Sequence, residues 1–189
     1  FTNNNISNNL SFGFRGVFNG GTFDIAIGEA GAGNVFDNNT GAGIAIDQVQ
    51  NSSGQLSIED NQITDTNDGG AVFNGDGIFI RSVIGACAVG NRVEGNDASF
   101  SPHNAIECWC DDNVFADNTA SDSHYGLWLG GSDRAVVTGN VVERSVVDGM
   151  SIQIGENRHT LIQDNTVTGS GRHRPGVSEA PAGSTGVGR

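Results

Sequence analysis

The chemically richest stretch of the chain runs from Ser101 to Asp112, in a sequence otherwise dominated by glycine, asparagine and small aliphatic residues. Its cysteines, Cys108 and Cys110, are separated by one residue, which is too close for the C-x-x-C spacing of most structural zinc sites. The stretch is therefore a metal site, a catalytic site or one decorated unit of a repeat. The choice depends on which of its side chains point the same way. The side chains in question are His103, Glu107, Cys108, Trp109, Cys110, Asp111 and Asp112.

The composition of the chain limits what this stretch can serve. With 189 residues, the chain suits one domain that buries a core of its own. The formal net charge is −13 and all nine basic residues are arginine, so the surface repels nucleic acids and anionic membranes. No apolar run reaches the roughly 18 residues that a membrane-spanning helix needs, so we expect no membrane insertion. We expect a secreted or cell-surface protein that starts at Phe1 as a mature or trimmed piece.

A repeated pattern indicates which elements position the stretch. Every apolar segment alternates with period two, and none shows the period of a helix. Short strands in units of roughly 25 residues predict an all-β solenoid of parallel strands, with stacked asparagines that hydrogen-bond from coil to coil. The triplet of an asparagine, any residue and an apolar residue recurs at Asn34, Asn61, Asn91, Asn113, Asn140 and Asn165. The small residues that precede the alternating strands are Gly43, Gly77, Ala105, Gly126 and Gly149.

These G-N-x-V and G-I-x-I elements resemble those of right-handed parallel β-helix repeat proteins, a group that includes NosD-like proteins, pectate lyases and mannuronan C5-epimerases. The resemblance covers roughly residues 3 to 171. It implies a right-handed parallel β-helix of about six to seven coils. We assign residues 1–171 to this domain and residues 172–189 to a C-terminal tail or cap remnant. Because the architecture supports many activities, the resemblance predicts the fold and leaves the function open.

Alternation along the strands separates a core face from an outer face. We expect the inward residues to be Ile44, Ile46, Ile78, Ile80, Ile106, Cys108, Leu127, Leu129, Met150 and Ile152. The outward residues form two ladders whose neighbouring rungs are about 4.8 Å apart. The first ladder contains Ala45, Phe79, Glu107, Trp128 and Ser151, and the second contains Asp47, Arg81, Trp109, Gly130 and Gln153. Just before the strands, His103 aligns with His124, while Asp76, Asn104, Tyr125 and Asp148 form a further column.

The outer face carries the predicted site, because aromatic rings present flat apolar surface to sugar rings while polar groups hydrogen-bond to their hydroxyls. The flanking aromatic residues should raise the pKa of Glu107, as a general acid requires. Arg81, the only arginine expected on this face, would oppose that shift or form a surface salt bridge with Glu107. The predicted catalytic residues are Glu107, His103, His124 and Arg81. The predicted substrate-binding residues are Trp109, Trp128, Tyr125, Asn104, Gln153 and Asp148.

The sequence does not decide whether this face holds a second catalytic carboxylate or a metal ion. A glycoside hydrolase needs a second carboxylate roughly 5–9.5 Å from the first. Asp148 is expected two coils away, and Asp76 is expected farther along the strand, so neither makes a convincing pair with Glu107. The two histidines with Asp76 or Glu107 could hold a divalent ion. The ligand spacing is loose, so we predict no resident metal, and calcium only where it would bridge an acidic sugar.

The third cysteine, Cys87, can form a disulfide. Cys87 precedes Asn91 by four residues, and Cys110 precedes Asn113 by three, so the two cysteines occupy similar turn positions on adjacent coils. This placement predicts a Cys87–Cys110 bridge and leaves Cys108 as a small buried residue.

Two functions remain in view. The first is a secreted β-helix that binds an extracellular polysaccharide along a face with Arg81, Glu107 and Trp128 and, where it is catalytic, cleaves it. The alternative is a structural or adhesive surface module without catalysis, which self-associates through its ends or sides.

Overall fold

The computed structural model describes residues 1–18, 21–48, 52–67, 75–82, 91–153, 155 and 157–171. In these ranges the secondary structure consists of nineteen short strands. In chain order the strands are β1 (Asn5–Ser7), β2 (Phe14–Phe18), β3 (Gly21–Ile27), β4 (Val35–Asp37), β5 (Ala42–Gln48), β6 (Ser52–Glu59), β7 (Gln62–Thr64), β8 (Asp76–Ser82), β9 (Asn91–Glu94), β10 (Asp97–Ser99), β11 (Asn104–Trp109), β12 (Val114–Ala116), β13 (Thr119–Ser121), β14 (Tyr125–Gly130), β15 (Val136–Thr138), β16 (Val141–Glu143), β17 (Met150–Gln153), β18 (Leu161–Gln163) and β19 (Thr166–Thr168).

Each coil contributes one strand to each of three parallel sheets. Sheet A has the order β1-β4-β7-β10-β13-β16-β19, sheet B the order β2-β5-β8-β11-β14-β17, and sheet C the order β3-β6-β9-β12-β15-β18. Neighbouring strands in every sheet are three apart in the chain, which is the topology of a solenoid with three strands per coil. The fold is therefore the predicted right-handed parallel β-helix, with about six coils. No helix in the described ranges has the length and apolar character needed to cross a bilayer.

The core follows the predicted alternation over most of the coils. The inward residues from Ile44 to Leu129 are fully or almost fully buried. Only the last coil differs, where Met150 is partly buried and Ile152 is 39% exposed. The difference is physical, because an inward side chain is enclosed only when a coil stacks on each side of it. Residues 172–189 lie outside the described residues, so the domain boundary at residue 171 stays a prediction.

An asparagine ladder runs along the turn that leads into sheet A. Its members are Asn4, Asn34, Asn61, Asn96, Asn118, Asn140 and Asn165. The side-chain oxygen of Asn118 accepts from the backbone N–H and the amide nitrogen of Asn96, each at 3.0 Å. Its own nitrogen donates to Asn140 Oδ1 and to the Val93 carbonyl, each at 2.9 Å. Every hydrogen-bonding atom of that buried amide is thus paired.

The predicted asparagine set was partly wrong. Asn91 and Asn113 bond to each other at a different turn, between sheets B and C. Asn96 and Asn118 take the ladder positions instead. The pattern missed them because their inward neighbours, Ala98 and Ala120, are smaller than the aliphatic residue that it required.

The small residues before the strands of sheet B mark a tight corner. A Cβ atom at Gly126 would lie 2.3 Å from the Gly149 carbonyl oxygen and 2.3 Å from Val142 Cγ1. Only glycine, or alanine in one coil, suits a position where the backbones of successive coils approach so closely. Strict alternation fails at this corner. Gly126 is two residues before Trp128 and should face outward as Trp128 does, yet a Cβ at Gly126 would point at core atoms.

Candidate functional site

The predicted outer ladders of sheet B are in register. Glu107 pairs with Phe79 on one side and with Trp128 on the other, and Trp109 pairs with Arg81. Glu107 is 6% exposed and Trp128 is 8% exposed, so these residues are buried although they belong to the outer face. A ligand can reach the half-buried residues Arg81, His103, Trp109, His124, Tyr125 and Gln153 and the exposed residue Asp148.

Three groups that can ligate a metal converge at the corner that leads into sheet B, where β8 and β11 begin. One atom from each of Asp76, His103 and Glu107 lies within 4.8 Å of the others. His103 Nδ1 is 2.8 Å from Asp76 Oδ1 and 3.7 Å from Glu107 Oε2. The carboxylates are buried, whereas the His103 side chain is 37% exposed and opens the cluster to solvent. We call these residues, together with Asn104, the corner cluster.

The Asn104 amide lies inside the corner cluster. Its nitrogen is 2.8 Å from His103 Nδ1 and 3.1 Å from Asp76 Oδ1, and it also contacts Glu107 Oε2. The backbone N–H of Asn104 donates to Asp76 Oδ1 at 2.9 Å. The side-chain oxygen of Asn104 is buried and has no hydrogen-bond partner. This unpaired oxygen is an exception to the usual pairing of buried polar atoms and needs an explanation.

Burial and mutual repulsion perturb the acids of the cluster. Burial, and then the charge of Asp76, raise the pKa of Glu107 to about 7. The sequence correctly predicted that the pKa of Glu107 is raised. The prediction named only the flanking aromatic residues as the cause, whereas the Asp76 carboxylate adds to the shift. Burial also raises the pKa of Asp76, while His103 acts in the opposite direction.

Tryptophan and glycine form a flat apolar area beside the cluster. The indole rings of Trp109 and Trp128 pack with centroids 4.8 Å apart. The indole N–H of Trp109 donates to Glu107 Oε1, so the ring partly covers the carboxylate. A Cβ at Gly130 would lie 2.6 Å from the Trp128 ring. Gly130 therefore provides the space that both rings occupy.

His124 and Tyr125 border the cluster on the next coil. The His124 ring meets the Tyr125 ring edge-on with centroids 4.9 Å apart, and the His103 ring does the same at 6.4 Å. Burial, followed by the charge of His103, lowers the pKa of His124. The two histidines thus flank one tyrosine, as their alignment before the strands predicts.

Arg81 has a different partner from the one expected. Its Nε donates to Asp47 Oδ1 at 2.7 Å, and Arg15 contacts Asp47 Oδ2 at 3.2 Å. Arg15 pairs in register with Ala45 and thus shares the outer face, so Arg81 is not the only arginine there. Asp47 is buried and lies between the guanidinium groups of Arg15 and Arg81. Because a buried carboxylate needs charged hydrogen-bond donors, Arg81 points towards Asp47.

The remaining predicted residues lie at the edges of the face. Asp148 is exposed, and Gln153 donates to the Ser151 hydroxyl on its own strand. Both belong to the last coil, two coils beyond Glu107.

The cysteines separate into two states. Cys108 is free and buried in the core, and burial raises the pKa of its thiol. Cys110 is disulfide-bonded. Cys87, its predicted partner, lies outside the described residues, so this pairing stays a prediction.

Asp76 is the residue that sequence reasoning placed wrongly. It was expected too far along the strand to work with Glu107, yet one oxygen of each lies within 4.8 Å of the other. Asp76 is in register with Asn104, at the corner where alternation fails. One signal was available, since an acid directly before the recurring small residue of the strand would lie on the corner beside His103.

Comparison with known proteins agrees with this architecture. Residues 71–182 match the family described as periplasmic copper-binding protein (NosD). No curated protein and no solved structure matches the chain significantly. The matched segment spans more than half of the chain and includes the whole corner cluster, and with the three-sheet coil it identifies the chain as a member of the NosD family.

Proposed function

We propose that the protein binds an extended polysaccharide along the outer face of sheet B. The observation that carries this proposal is the carboxylate pair Asp76–Glu107 beside the packed indoles of Trp109 and Trp128. Stacked coils repeat their outer positions about every 4.8 Å, which suits a chain polymer. Half-buried Trp109 and Tyr125 offer ring edges and faces, while His103, Arg81 and Gln153 offer hydrogen-bonding groups.

Export of the protein is part of the proposal. The NosD family is described as periplasmic, and the periplasm lies outside the cytoplasm, as the expected secreted or cell-surface location does. The disulfide at Cys110 supports the same location, because disulfides persist in oxidising compartments. A secreted or cell-surface protein would meet extracellular polysaccharide directly.

Cleavage is the catalytic form of this proposal. Two carboxyl groups about 5 Å apart are the arrangement of retaining glycosidases, in which one acts as acid and the other as nucleophile. Asp76 and Glu107, with oxygens within 4.8 Å, approach that separation. In this role Glu107 would protonate the leaving oxygen, and His103, the exposed member, would contact the sugar.

The binding test uses a glycan array followed by titration of any ligand found. Trp109→Ala should weaken binding more than tenfold, because it removes the accessible indole. Phe100→Ala is the control, since Phe100 is an exposed aromatic residue in the turn before β11 and not on the face of sheet B. Equal affinity of both variants, or no glycan bound by the wild type, would contradict the proposal.

The cleavage test separates turnover from binding. Glu107→Gln keeps the shape of the side chain but removes its acid. We expect glycan binding to persist while product formation, followed by chromatography, is lost. Product formed by this variant at the wild-type rate would exclude Glu107 as the acid.

A second function, self-association of the solenoid through its ends, is favoured by the last coil. Ile152, Leu161, Ile162 and Val167 are each between 39% and 48% exposed there. Such an apolar end can stack on another β-helix to make a filament or spike. Sedimentation velocity tests it, with Ile162→Glu expected to abolish any concentration-dependent assembly seen for the wild type.

A further inference from the structure

The donor atoms of the chain set the kind of metal that it can hold. Copper(I) prefers the soft sulfur ligands cysteine and methionine. Cys108 lies in the core, Cys110 is in a disulfide, and Met150 packs against the core on another coil. The described sulfur atoms therefore do not join the corner cluster, and its two carboxylates and one imidazole do not fit copper(I).

The same donors fit a divalent ion with oxygen and nitrogen ligands. Two ligands that are each about 2.1 Å from one ion are about 3.0 Å apart in octahedral and about 3.4 Å apart in tetrahedral geometry. The distances from His103 Nδ1 to Asp76 Oδ1, 2.8 Å, and to Glu107 Oε2, 3.7 Å, bracket these values. These two pairs are thus close to the spacing that a shared ion requires, and the third pair, Asp76 and Glu107, has oxygens within 4.8 Å.

Protons alone do not satisfy the cluster. If His103 Nδ1 carries a proton, it can donate to Asp76 but faces a second donor, the Asn104 nitrogen, at 2.8 Å. If Nδ1 carries no proton, its lone pair can accept from Asn104 but faces the Asp76 oxygen when that carboxylate is ionised. In both cases the buried Asn104 oxygen has no partner. A protonated Asp76 can donate to an unprotonated Nδ1, so the Asn104 oxygen is the group of the cluster that no proton position satisfies.

A rotation of the Asn104 side-chain amide by half a turn exchanges its oxygen and its nitrogen. The amide oxygen then takes the place of the nitrogen and faces the same atoms of Asp76, His103 and Glu107. The Asn104 oxygen would then join the lone-pair donors of Asp76, His103 and Glu107, an arrangement that a cation satisfies, while the amide nitrogen would take the position where the oxygen has no partner. The exposed edge of His103 gives that cation a path from solvent to the buried carboxylates.

We propose that Asp76, His103, Glu107 and the Asn104 oxygen form a binding site for a divalent cation of the class that prefers oxygen and nitrogen ligands, such as Mn²⁺ or Zn²⁺. The proposal goes beyond glycan binding and does not depend on it. An ion bound here would make Glu107 a ligand and leave the coordination positions on the His103 side open to solvent or to a sugar oxygen.

The test measures Mn²⁺ binding to the full, chelator-treated chain by the loss of the electron paramagnetic resonance signal of free Mn²⁺. We expect one equivalent to bind to the wild type. Glu107→Gln and His103→Gln should each weaken binding more than tenfold, whereas the matched control His124→Gln should stay within twofold. Far-UV circular dichroism checks that all variants fold, and Mn²⁺ should raise the Tm of the wild type and of the His124 variant only.

Several results would overturn the proposal: no stoichiometric Mn²⁺ binding by the wild type, equal affinity of the His103 and His124 variants, or displacement of Mn²⁺ by one equivalent of copper(I). Because no glycan is present, failure here leaves the proposed glycan binding intact. Cleavage that continues in the presence of a chelator, yet is lost in Glu107→Gln, would assign Glu107 an acid role without metal.

Discussion

The asparagine ladder and the corner cluster are both buried polar groups built around an amide, yet they differ in how well that amide is satisfied. In the ladder, Asn118 has partners for its oxygen and for its nitrogen, all at 2.9 to 3.0 Å. In the cluster, the Asn104 oxygen has none, and two carboxylates lie close together. A satisfied buried network stabilises a fold, whereas an unsatisfied one costs stability and marks a site with another purpose.

The largest expected effect is on stability and tests the asparagine ladder. Asn118→Ala should lower the free energy of unfolding by about 3–5 kcal/mol, because it leaves buried partners on both neighbouring coils unpaired. Urea denaturation measures the loss. Asn104→Ala is the matched comparison and should cost less than Asn118→Ala, since the nitrogen of its amide has partners but the oxygen has none. Equal losses for the two variants would remove the distinction between the regions.

The disulfide of Cys110, at the end of β11, gives the second largest effect. Cys110→Ser should lower the free energy of unfolding by about 2–4 kcal/mol through loss of the cross-link. Cys87→Ser should produce the same loss, and the double variant should lose no more than either single one. Cys108→Ala, the control, removes only a buried thiol. Different losses for the Cys87 and Cys110 variants, measured by urea denaturation, would argue against their pairing.

The corner cluster should respond in the opposite direction from the ladder. Glu107→Gln should raise the free energy of unfolding of the metal-free protein by about 1–3 kcal/mol, because it removes a buried charge next to Asp76. The amide oxygen can still accept from the Trp109 indole. The measurement is urea denaturation after chelation. A loss of stability of the same size would show that the cluster is a structural network like the ladder.

The smallest effect belongs to exposed charges at the other corners. Arg134 donates to Asp112 through two nitrogens, and these hydrogen bonds lower the pKa of Asp112. A carboxyl group whose pKa is lowered on folding contributes stability above its ordinary pKa and loses it as the pH falls through the lowered value. Arg134→Ala should therefore reduce the Tm slightly at neutral pH and not at all in strongly acidic buffer. A larger effect in acid than at neutral pH would contradict this account.

Much of the architecture could be predicted from single residues and their spacing. Period-two alternation correctly placed Ile78 and Ile106 inside and Glu107 and Trp128 in one outer ladder. Such a rule works wherever a strand is straight, because successive side chains then point to opposite faces. It did not decide between two possible partners of Arg81, because Asp47 was a neighbouring rung of the same ladder, yet the expected ion pair was with Glu107.

The sequence by itself determined the solenoid, its core face and the rungs of sheet B, since alternation and repeated small residues are local properties of the chain. The tertiary structure alone decided which asparagines stack, which acid meets Arg81, and that Asp76 joins His103 and Glu107. These contacts connect residues 22 to 35 positions apart. The contacts of the asparagines and of Asp76 lie at corners, where the chain bends and alternation no longer reports direction, whereas Arg81 had two acids within reach on straight strands. The Asn104 amide shows the same limit, because whether its oxygen finds a partner depends on three groups from two coils.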